Sequence, residues 1–380
     1  MEELTLIGNL GSDPDVRYQG SYRLPYAAQD LRLSLLQDDA GRGEPAKDSV
    51  PFLPPGNAYL YWRDPGGDRR EPYEIQPDEE AVRVHIGLHD SDKTGFPNLA
   101  LMKISAWHKA QGDTVEWWTP MFPFDRVYSS KVFTFTPECA YLPPDTIKGG
   151  TGYGVYEELP EEIDAMEPDY SIYPECDHAI GFLTRGCIRC CPWCVVPKKE
   201  GAIRPYRTWQ QIKRPDSRDI VFMDNNVLAC QHGIEQMRSM VGQNVRIDFN
   251  QGLDARLITP EIAELLAKLK WIRFIRMSCD TDAMLDVVIR AIRLLEEHGV
   301  KPYRVFVYLL VQDIPSAEKR AIALREVGAE VFAQPYRDFE HNIEPTPEMK
   351  ALARWVNHKA IFKSVRTFAE YDTRKRAGGG

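Results

Sequence analysis

The sequence lacks the long apolar run that a membrane-spanning helix needs, and its first ten residues carry acids where a secretory signal carries Lys or Arg. These absences exclude the usual signs of an integral membrane or exported protein, so we expect a cytoplasmic chain with no membrane partner. With 43% hydrophobic and 27% charged residues, the composition is that of an ordinary folded protein. In a reducing compartment, the eight cysteines indicate metal binding or catalysis before disulfides.

An excess of basic charge is also lacking. Residues 1–80 contain 16 acidic and 8 basic residues, which leaves 40 acidic and 39 basic residues for 81–380. A general nucleic-acid-binding protein would carry a strongly basic face, so the balance argues against that class, although it leaves room for a local basic pocket. Because residues 1–80 also hold 9 Pro and 8 Gly, we predict a loop-rich acidic N-terminal extension there.

Strand and helix patterns alternate after residue 80. Over 81–175, the strand pattern "AVRVHIGLHDSD" is followed by an amphipathic helix ending at Gly112 and by two further strand patterns, "DTVEWW" and "RVYSSKVFTFT". This order predicts a smaller Rossmann-like parallel-sheet domain. The segment "KGGTGYG" (148–154) reads as a flexible Gly-rich turn, because it lacks the GK[ST] ending of a phosphate loop.

Residues 176–345 contain six apolar strand patterns, most of them separated by helical patterns. Thr259–Pro260 is typical of a helix start, and Gly299 and Gly328 of helix ends. The pattern predicts an α/β fold with a partial (βα)6 TIM-type barrel, in which functional residues lie at the carboxyl ends of the strands. Residues 346–380 are predicted to form a C-terminal helix and a disordered tail. The six strand patterns are "AIGFLTRG", "DIVFMDNNVLA", "VRIDFNQGLDARLI", "WIRFIRMSCD", "YRVFVYLLVQ" and "AEVFAQPYRD".

Four cysteines lie within eight positions of the segment "GCIRCCPWC" and allow two interpretations. Two fused C-x-x-C pairs, Cys187/Cys190 and Cys191/Cys194, would suit zinc, although structural zinc knuckles normally lie on two separate loops. The alternative spacing C-x3-C-x2-C, formed by Cys187, Cys191 and Cys194, suits a [4Fe–4S] cluster with an open fourth iron. The segment directly follows the first barrel strand, where barrel sites lie, and this position favours the cluster.

The segment "GCIRCCPWC" after "AIGFLT" resembles the signature of the radical S-adenosylmethionine (SAM) superfamily, C-x3-C-x-aromatic-C, and the resemblance covers about residues 179–340. Upstream, "FPNLALMKISAWHKAQGDTVEWW" and "SKVFTFT" resemble the N-terminal cobalamin-binding-like (Rossmann-like) domain of uncharacterised bacterial and phage radical SAM proteins. The resemblance implies that Cys187, Cys191 and Cys194 bind three irons and that SAM chelates the fourth.

The implied activity is reductive cleavage of SAM to a 5′-deoxyadenosyl radical, which abstracts a hydrogen atom from a substrate. The resemblance also implies an electron donor such as flavodoxin or ferredoxin. It leaves the substrate unidentified, and modification of a nucleotide or nucleic acid is one analogy.

In this family, residues near the cluster and at strand ends contact SAM. Trp193 would lie near the adenine, or it simply packs. One of the polar residues after the second strand would bind the amino group, or these residues form a turn. By the resemblance, the candidate SAM-binding residues are Trp193, Asp224, Asn225, Asn226, Arg256, Ser278 and Asp280.

Arg256 is the candidate partner of the SAM carboxylate, and the alternative is a capping and salt-bridge cluster at the strand end. Ser278 and Asp280 are candidate partners of the ribose hydroxyls. Cys230 and Cys279 also lie near strand ends, where a thiol could donate a hydrogen atom to a product radical, but free cysteines are commonly small buried hydrophobes.

The loop "DSDKTG" (90–95) bears on whether the upstream domain binds cobalamin. Cobalamin domains of this type carry D-x-H-x-x-G, whose histidine binds cobalt, and here Asp92 occupies the histidine position. Because a carboxylate is a poor substitute for imidazole, a cobalamin-like fold without the cofactor is favoured. A cobalamin-dependent radical SAM methyltransferase is the first alternative, and a non-catalytic zinc or electron-transfer module is the second.

Overall fold

The structure is a computed structural model that describes residues 83–338, 341 and 343–371, together with three short strands closer to the N-terminus. The chain divides into two compact units, residues 1–81 and 82–380. Apart from the three strands, the predicted extension over 1–80 lies outside the described residues, as does the predicted tail beyond residue 371.

The three strands of the first unit pair in an antiparallel sheet of order β1-β2-β3. Their bounds are β1 (Thr5–Ile7), β2 (Tyr59–Arg63) and β3 (Arg70–Glu74). Among the helices that the structure describes, none combines the length and the apolar character required to cross a bilayer.

The second unit begins with a four-stranded parallel sheet and one long helix. The sheet has the order β5-β4-β6-β7, and α1 packs against β4, β5 and β6. The helix is capped by Asn98, whose side chain accepts a hydrogen bond from Leu101 N at 3.3 Å, and Gly112 follows its end with φ of 84°. The elements are β4 (His85–Asp90), α1 (Leu99–Ala110), β5 (Thr114–Trp117), β6 (Arg126–Ser130) and β7 (Ile147–Gly149).

The fourth strand of this sheet corrects one prediction. The segment "KGGTGYG" was predicted to be a flexible turn, but its start belongs to β7 and Thr151–Tyr153 forms a 3-10 helix. At Gly150, which has φ of 98°, a Cβ would collide with the backbone oxygen of Lys131. Glycine is therefore required because this segment passes directly against the end of β6, and not because it is mobile.

Six parallel strands and a short hairpin follow, with helices between them. The remaining strands are β8 (Ala179–Gly181), β9 (Thr184–Arg185), β10 (Arg204–Pro205), β11 (Asp219–Phe222), β12 (Arg246–Phe249), β13 (Ile275–Ser278), β14 (Val305–Val311) and β15 (Glu330–Pro335). The remaining helices are α2 (Glu161–Asp164), α3 (Val196–Lys199), α4 (Trp209–Ile212), α5 (Gln231–Met240), α6 (Pro260–Lys268), α7 (Asp282–Glu297), α8 (Ile314–Glu326), α9 (Pro347–Asn357) and α10 (Lys359–Ser364).

The six parallel strands pair as two sheets of three. One sheet has the order β8-β11-β12 and the other β13-β14-β15. Two isolated parallel bridges, Ile247–Trp271 and Leu253–Met277, join the segments around β12 and β13. Parallel strands connected by helices confirm the mixed α/β class, and each of the six predicted strand patterns contains an observed strand.

The two faces of these strands differ in character. Along β14, Val305, Val307, Leu309 and Val311 are fully buried, and α8 packs against β14 and β15. The alternate residues are half-buried, because they lie on the opposite face.

The predicted helix starts and ends are confirmed as well. Thr259 caps α6 by accepting from Ile262 N at 3.3 Å, and glycines with positive φ follow α7 and α8.

A buried lysine on α1 links the first parallel sheet to the hairpin β9–β10. Lys103 is 4% exposed, and its Nζ donates to the backbone oxygen and to Oδ1 of Asp164, both at 2.7 Å, and to Tyr206 Oη at 3.0 Å. Burial lowers the pKa of Lys103, and Asp164 opposes this effect. Tyr206 follows β10 directly, so this Lys103–Asp164–Tyr206 link holds the hairpin against α1.

Asp169 makes a second link to α1. Its Oδ2 accepts hydrogen bonds from Ser105 Oγ and Lys109 Nζ, both at 2.6 Å, and its Oδ1 accepts from Ser171 N at 2.9 Å. Although burial acts in the opposite direction, these hydrogen bonds, led by that from Lys109, lower the pKa of Asp169 to about 2.

Replacing Asp169 by asparagine is therefore expected to lower the free energy of unfolding by about 1–2 kcal/mol near neutral pH. A carboxyl whose folded-state pKa is depressed stabilises the fold above its unfolded-state pKa near 4. That stabilisation is lost as the pH falls through about 2. The difference between wild type and Asp169→Asn should accordingly shrink between pH 4 and pH 2, as measured by urea unfolding. Glu138→Gln, in an exposed pair with Lys148, is the control and should change little. A difference that stays constant with pH would contradict this role of Asp169.

Candidate functional site

The cysteines lie in a closed loop that the hairpin β9–β10 carries. We call residues 186–203 the cysteine loop. The hairpin pairs Arg185 with Arg204, and Cys187 N donates to Gly201 O at 3.2 Å. Gly186 has φ of 82°, and a Cβ there would collide with the backbone oxygen of Ala202. The two ends of the loop therefore meet in a tight neck directly before the first cysteine, and this neck requires glycine.

Three of the cysteines are held within this loop. Cys187 Sγ accepts a hydrogen bond from Arg189 N at 3.3 Å and another from Asn226 Nδ2 at 3.4 Å. Cys194 N donates to Cys191 O at 3.0 Å, which closes a turn that carries the half-buried Trp193 at its tip. Two N–H groups are therefore directed at Cys187 Sγ, and hydrogen bonds of this kind orient a sulfur that binds a metal.

The thiols share one electrostatic environment. Burial raises the pKa of Cys191, and the neighbouring Cys187 and Asp280 act in the same direction, whereas Arg256 opposes them. Burial also raises the pKa of Cys194, and Cys191, Cys187 and Asp280 add to this effect. Within the described part of the chain, no group of three or more His, Cys, Asp and Glu side chains is arranged to hold a single metal ion. The assignment of these cysteines as metal ligands thus stays a prediction.

Asp254 connects the cysteine loop to the segment after β12. Its side chain is only 5% exposed, and its Oδ2 accepts from Arg189 Nε at 2.9 Å. Arg256 binds the same carboxylate with both Nε, at 2.7 Å, and Nη2, at 3.1 Å. Although burial acts in the opposite direction, the two arginines lower the pKa of Asp254. The charge of Arg256 acts on the thiol of Cys191, and its hydrogen bonds to Asp254 are those of the capping and salt-bridge alternative. Its role toward the SAM carboxylate stays a prediction.

The three polar residues after β11 have separate environments. Asp224 is 1% exposed and faces the protein interior, where Oδ2 accepts from Leu183 N at 3.0 Å and Oδ1 accepts from Thr184 N and Oγ1 at 2.6 and 2.7 Å. Burial raises the pKa of Asp224 to about 6, against the effect of these donors. Asp224 thus fixes the chain between β8 and the cysteine loop, and both of its carboxylate oxygens accept hydrogen bonds from that segment.

Asn226 is the member of this group that reaches the cysteines. It is 2% exposed, and its Nδ2 lies 3.4 Å from both Cys187 Sγ and Asp254 Oδ2. Its Oδ1 is buried without a hydrogen-bond partner in the described structure. A buried acceptor left unpaired is expensive, so this atom is suited to accept a hydrogen bond from a ligand beside Cys187. Asn225 is half-buried next to it.

Ser278 and Asp280 extend the site along the end of β13. Burial raises the pKa of Asp280, while a hydrogen bond from Ser278 and the nearby Arg320 guanidinium oppose this shift.

Cys230 and Cys279, the two other cysteines near strand ends, are not accessible. Both are buried, and burial raises the pKa of the Cys279 thiol to about 12. These environments match small buried hydrophobes.

A comparison with protein-family models finds no match to this chain, and a comparison with curated proteins finds none either. The chemistry of the site therefore has to be inferred from its own residues.

A cleft of about 650 Å³ lies beside the strand ends. It contains a hydrogen-bonded row of side chains that the sequence did not reveal. Arg276 binds Asp248 through Nε and Nη2, both at 2.7 Å, and its Nη1 donates to Tyr308 Oη at 3.1 Å. Ser278 and Asp280 line the same cleft, and the charge of Asp280 acts on the thiols of Cys191 and Cys194. The strand alternation that places Arg276 and Ser278 on one face was visible in the sequence, but their partners were not.

The loop after β4 contains Asp92, the residue in the position of the cobalt-binding histidine of cobalamin domains. Asp92, in the histidine position, accepts hydrogen bonds from Val132 N at 2.6 Å, Phe133 N at 3.3 Å and Thr136 Oγ1 at 2.6 Å. In a sheet of order β5-β4-β6-β7, a cofactor crevice is expected between the ends of β4 and β6, where the strand order reverses. Here Asp92 ties the loops after those two strands to each other. Asp92 is therefore engaged by its own chain and is not placed to replace the histidine as a cobalt ligand, and the binding of cobalamin stays a prediction.

Proposed function

We propose that the chain is a radical SAM enzyme whose [4Fe–4S] cluster is bound by Cys187, Cys191 and Cys194. The observation that carries the proposal is the C-x3-C-x2-C spacing on a closed loop after a parallel strand, with two N–H donors on Cys187 Sγ. Hydrogen bonds to cluster sulfurs are one of the means by which proteins tune such centres. We also propose that the strands β8 and β11 to β15 form a partial TIM-type barrel.

The residues present fit a cluster and SAM. A cluster binds each cysteine to a different iron, so its thiols need not converge on one point as they must around a single zinc ion. The unpaired Asn226 Oδ1 is suited to accept from an ammonium group, and Ser278 and Asp280 lie where hydroxyl groups could be bound. When bound and reduced, the cluster supplies the electron for reductive cleavage of SAM.

The roles of this chain are then to bind, orient and exclude water. Asp254 positions Arg256 and Arg189 beside the thiols, and the remaining N–H groups of Arg256 are available to a carboxylate. The buried faces of the strands keep the interior apolar, and the row Asp248–Arg276–Tyr308 provides polar partners next to the site.

The experiment that tests the proposal is anaerobic purification, reconstitution with iron and sulfide, and incubation with dithionite and SAM. We expect bound iron and formation of 5′-deoxyadenosine. Zinc bound in place of iron would support the non-catalytic zinc module, and corrinoid absorbance after reconstitution would support the cobalamin-dependent methyltransferase. A chain that binds no iron under these conditions would overturn the proposal.

A further inference from the structure

The charges in the cleft of about 650 Å³ are largely compensated. Arg276 is engaged by Asp248 on two N–H groups and by Tyr308 on a third. Among the described lining residues, His178 is the only other side chain that can carry positive charge, and Asp280 adds a further carboxyl group. A phosphate or carboxylate group is best bound by available guanidinium or ammonium groups, which the described lining does not offer. The cleft therefore suits a ligand that is neutral where it is enclosed.

A buried ring nitrogen without a hydrogen-bond partner points to a ligand in the same cleft. His178 lines it, and its Nδ1 lies 3.1 Å from Asp177 Oδ1. With that nitrogen protonated, Nε2 is an acceptor, and it is buried without a hydrogen-bond partner in the described structure. A buried unpaired nitrogen is stabilised by a ligand N–H or O–H group.

An aromatic surface lies next to this nitrogen. Phe96, on the loop after β4, lines the cleft and is 37% exposed, with its ring centroid 6.4 Å from that of His178. Amide side chains also line the cleft, from Asn250, Gln251 and Gln334. Amides combine donors and acceptors, and they pair with planar groups that present both on one edge.

We propose that this cleft binds the substrate and that the enclosed part of the substrate is a neutral planar ring with a donor and acceptor edge, as in a nucleobase. The ring stacks on Phe96, and an N–H group donates to His178 Nε2. The proposal rests on the proposed function only for naming this ligand the substrate, because the binding itself needs neither cluster nor SAM.

The test is calorimetric titration of the full-length chain, without SAM, with uridine, cytidine and guanosine and with their 5′-monophosphates. Adenosine is left out because SAM itself carries an adenosyl group. The variants are Phe96→Leu, which keeps apolar volume but removes the ring, and His178→Ala. Phe122→Leu is the matched control, since Phe122 is 62% exposed and does not line the cleft.

We expect at least one nucleoside to bind and its monophosphate to bind no more tightly. Phe96→Leu and His178→Ala should each weaken binding about tenfold, whereas Phe122→Leu should not. The proposal is overturned if no nucleoside binds at millimolar concentration, if the phosphate tightens binding, or if neither cleft variant changes it. The titration is independent of iron binding and of 5′-deoxyadenosine formation, so its failure is distinguishable from failure of the proposed function.

Discussion

Cys191→Ala is expected to lower the rate of 5′-deoxyadenosine formation by more than about 100-fold, because loss of a cluster ligand exceeds the 10–100-fold effect of losing a residue that only supports one. The adjacent Cys190→Ala should retain both iron and activity. Cys190 is exposed and lies outside the C-x3-C-x2-C spacing, whereas the charges of Cys187 and Cys191 act on the thiol of Cys194. The two substitutions remove the same chemical group from consecutive positions, so each controls for the other.

Iron content and 5′-deoxyadenosine should be measured on the same reconstituted samples of both variants. The two interpretations of the cysteine spacing differ in this comparison. Two C-x-x-C pairs around zinc would need Cys190 as much as Cys191, so equal loss of metal in both variants would contradict the C-x3-C-x2-C assignment.

Asp224→Asn is expected to lower the free energy of unfolding by about 1–3 kcal/mol, because the cost of an unpaired buried donor exceeds the relief from no longer burying a charged carboxylate. The Asp224 carboxyl accepts from two backbone N–H groups and one hydroxyl at Leu183 and Thr184, and it is fully buried. An amide of the same shape offers one oxygen and places an NH2 group against the remaining donor, so a buried N–H is left unpaired. Urea unfolding of the cluster-free chain, followed by circular dichroism, measures the effect.

Asp219→Asn is the matched control, because Asp219 lies at the start of the same strand and pairs with the partly exposed Arg246. A partly exposed pair of this kind contributes about 1 kcal/mol, so this variant should lose less stability than Asp224→Asn. If the two variants are destabilised equally, the effect belongs to β11 as a whole and not to the buried acceptor.

The strands and helices of the second unit were predictable because their signals are local. Alternating apolar residues in "YRVFVYLLVQ" bury one face of β14, and Thr259–Pro260 and Gly299 mark helix ends through their own backbone chemistry. The error at "KGGTGYG" shows the limit of such reasoning. A glycine serves mobility or close packing equally well, and only the neighbouring Lys131 decides between them.

The candidate site was predictable only in part. Proximity of Cys187, Cys191 and Cys194 follows from their spacing, and strand ends drew attention to Arg256 and Asn226. The direction in which a side chain faces depends on partners far away in the sequence. Asp224 turns toward Thr184, 40 residues earlier, and Arg276 pairs with Asp248 across neighbouring strands. Neither sequence pattern nor composition carries this information.

In the cysteine loop, the entropic cost of joining the two ends is separate from the entropic cost of ordering the residues between them. Joining the ends of a flexible loop costs conformational entropy that grows with the logarithm of its length. Here the pairing of Arg185 with Arg204 and the close passage of Gly186 past Ala202 join the ends during folding of the chain itself. If the loop binds the proposed cluster, binding has to order only the interior of the loop. Substitutions at loop positions other than the cysteines and Arg189, which binds Asp254, should consequently leave the strands below the neck unchanged.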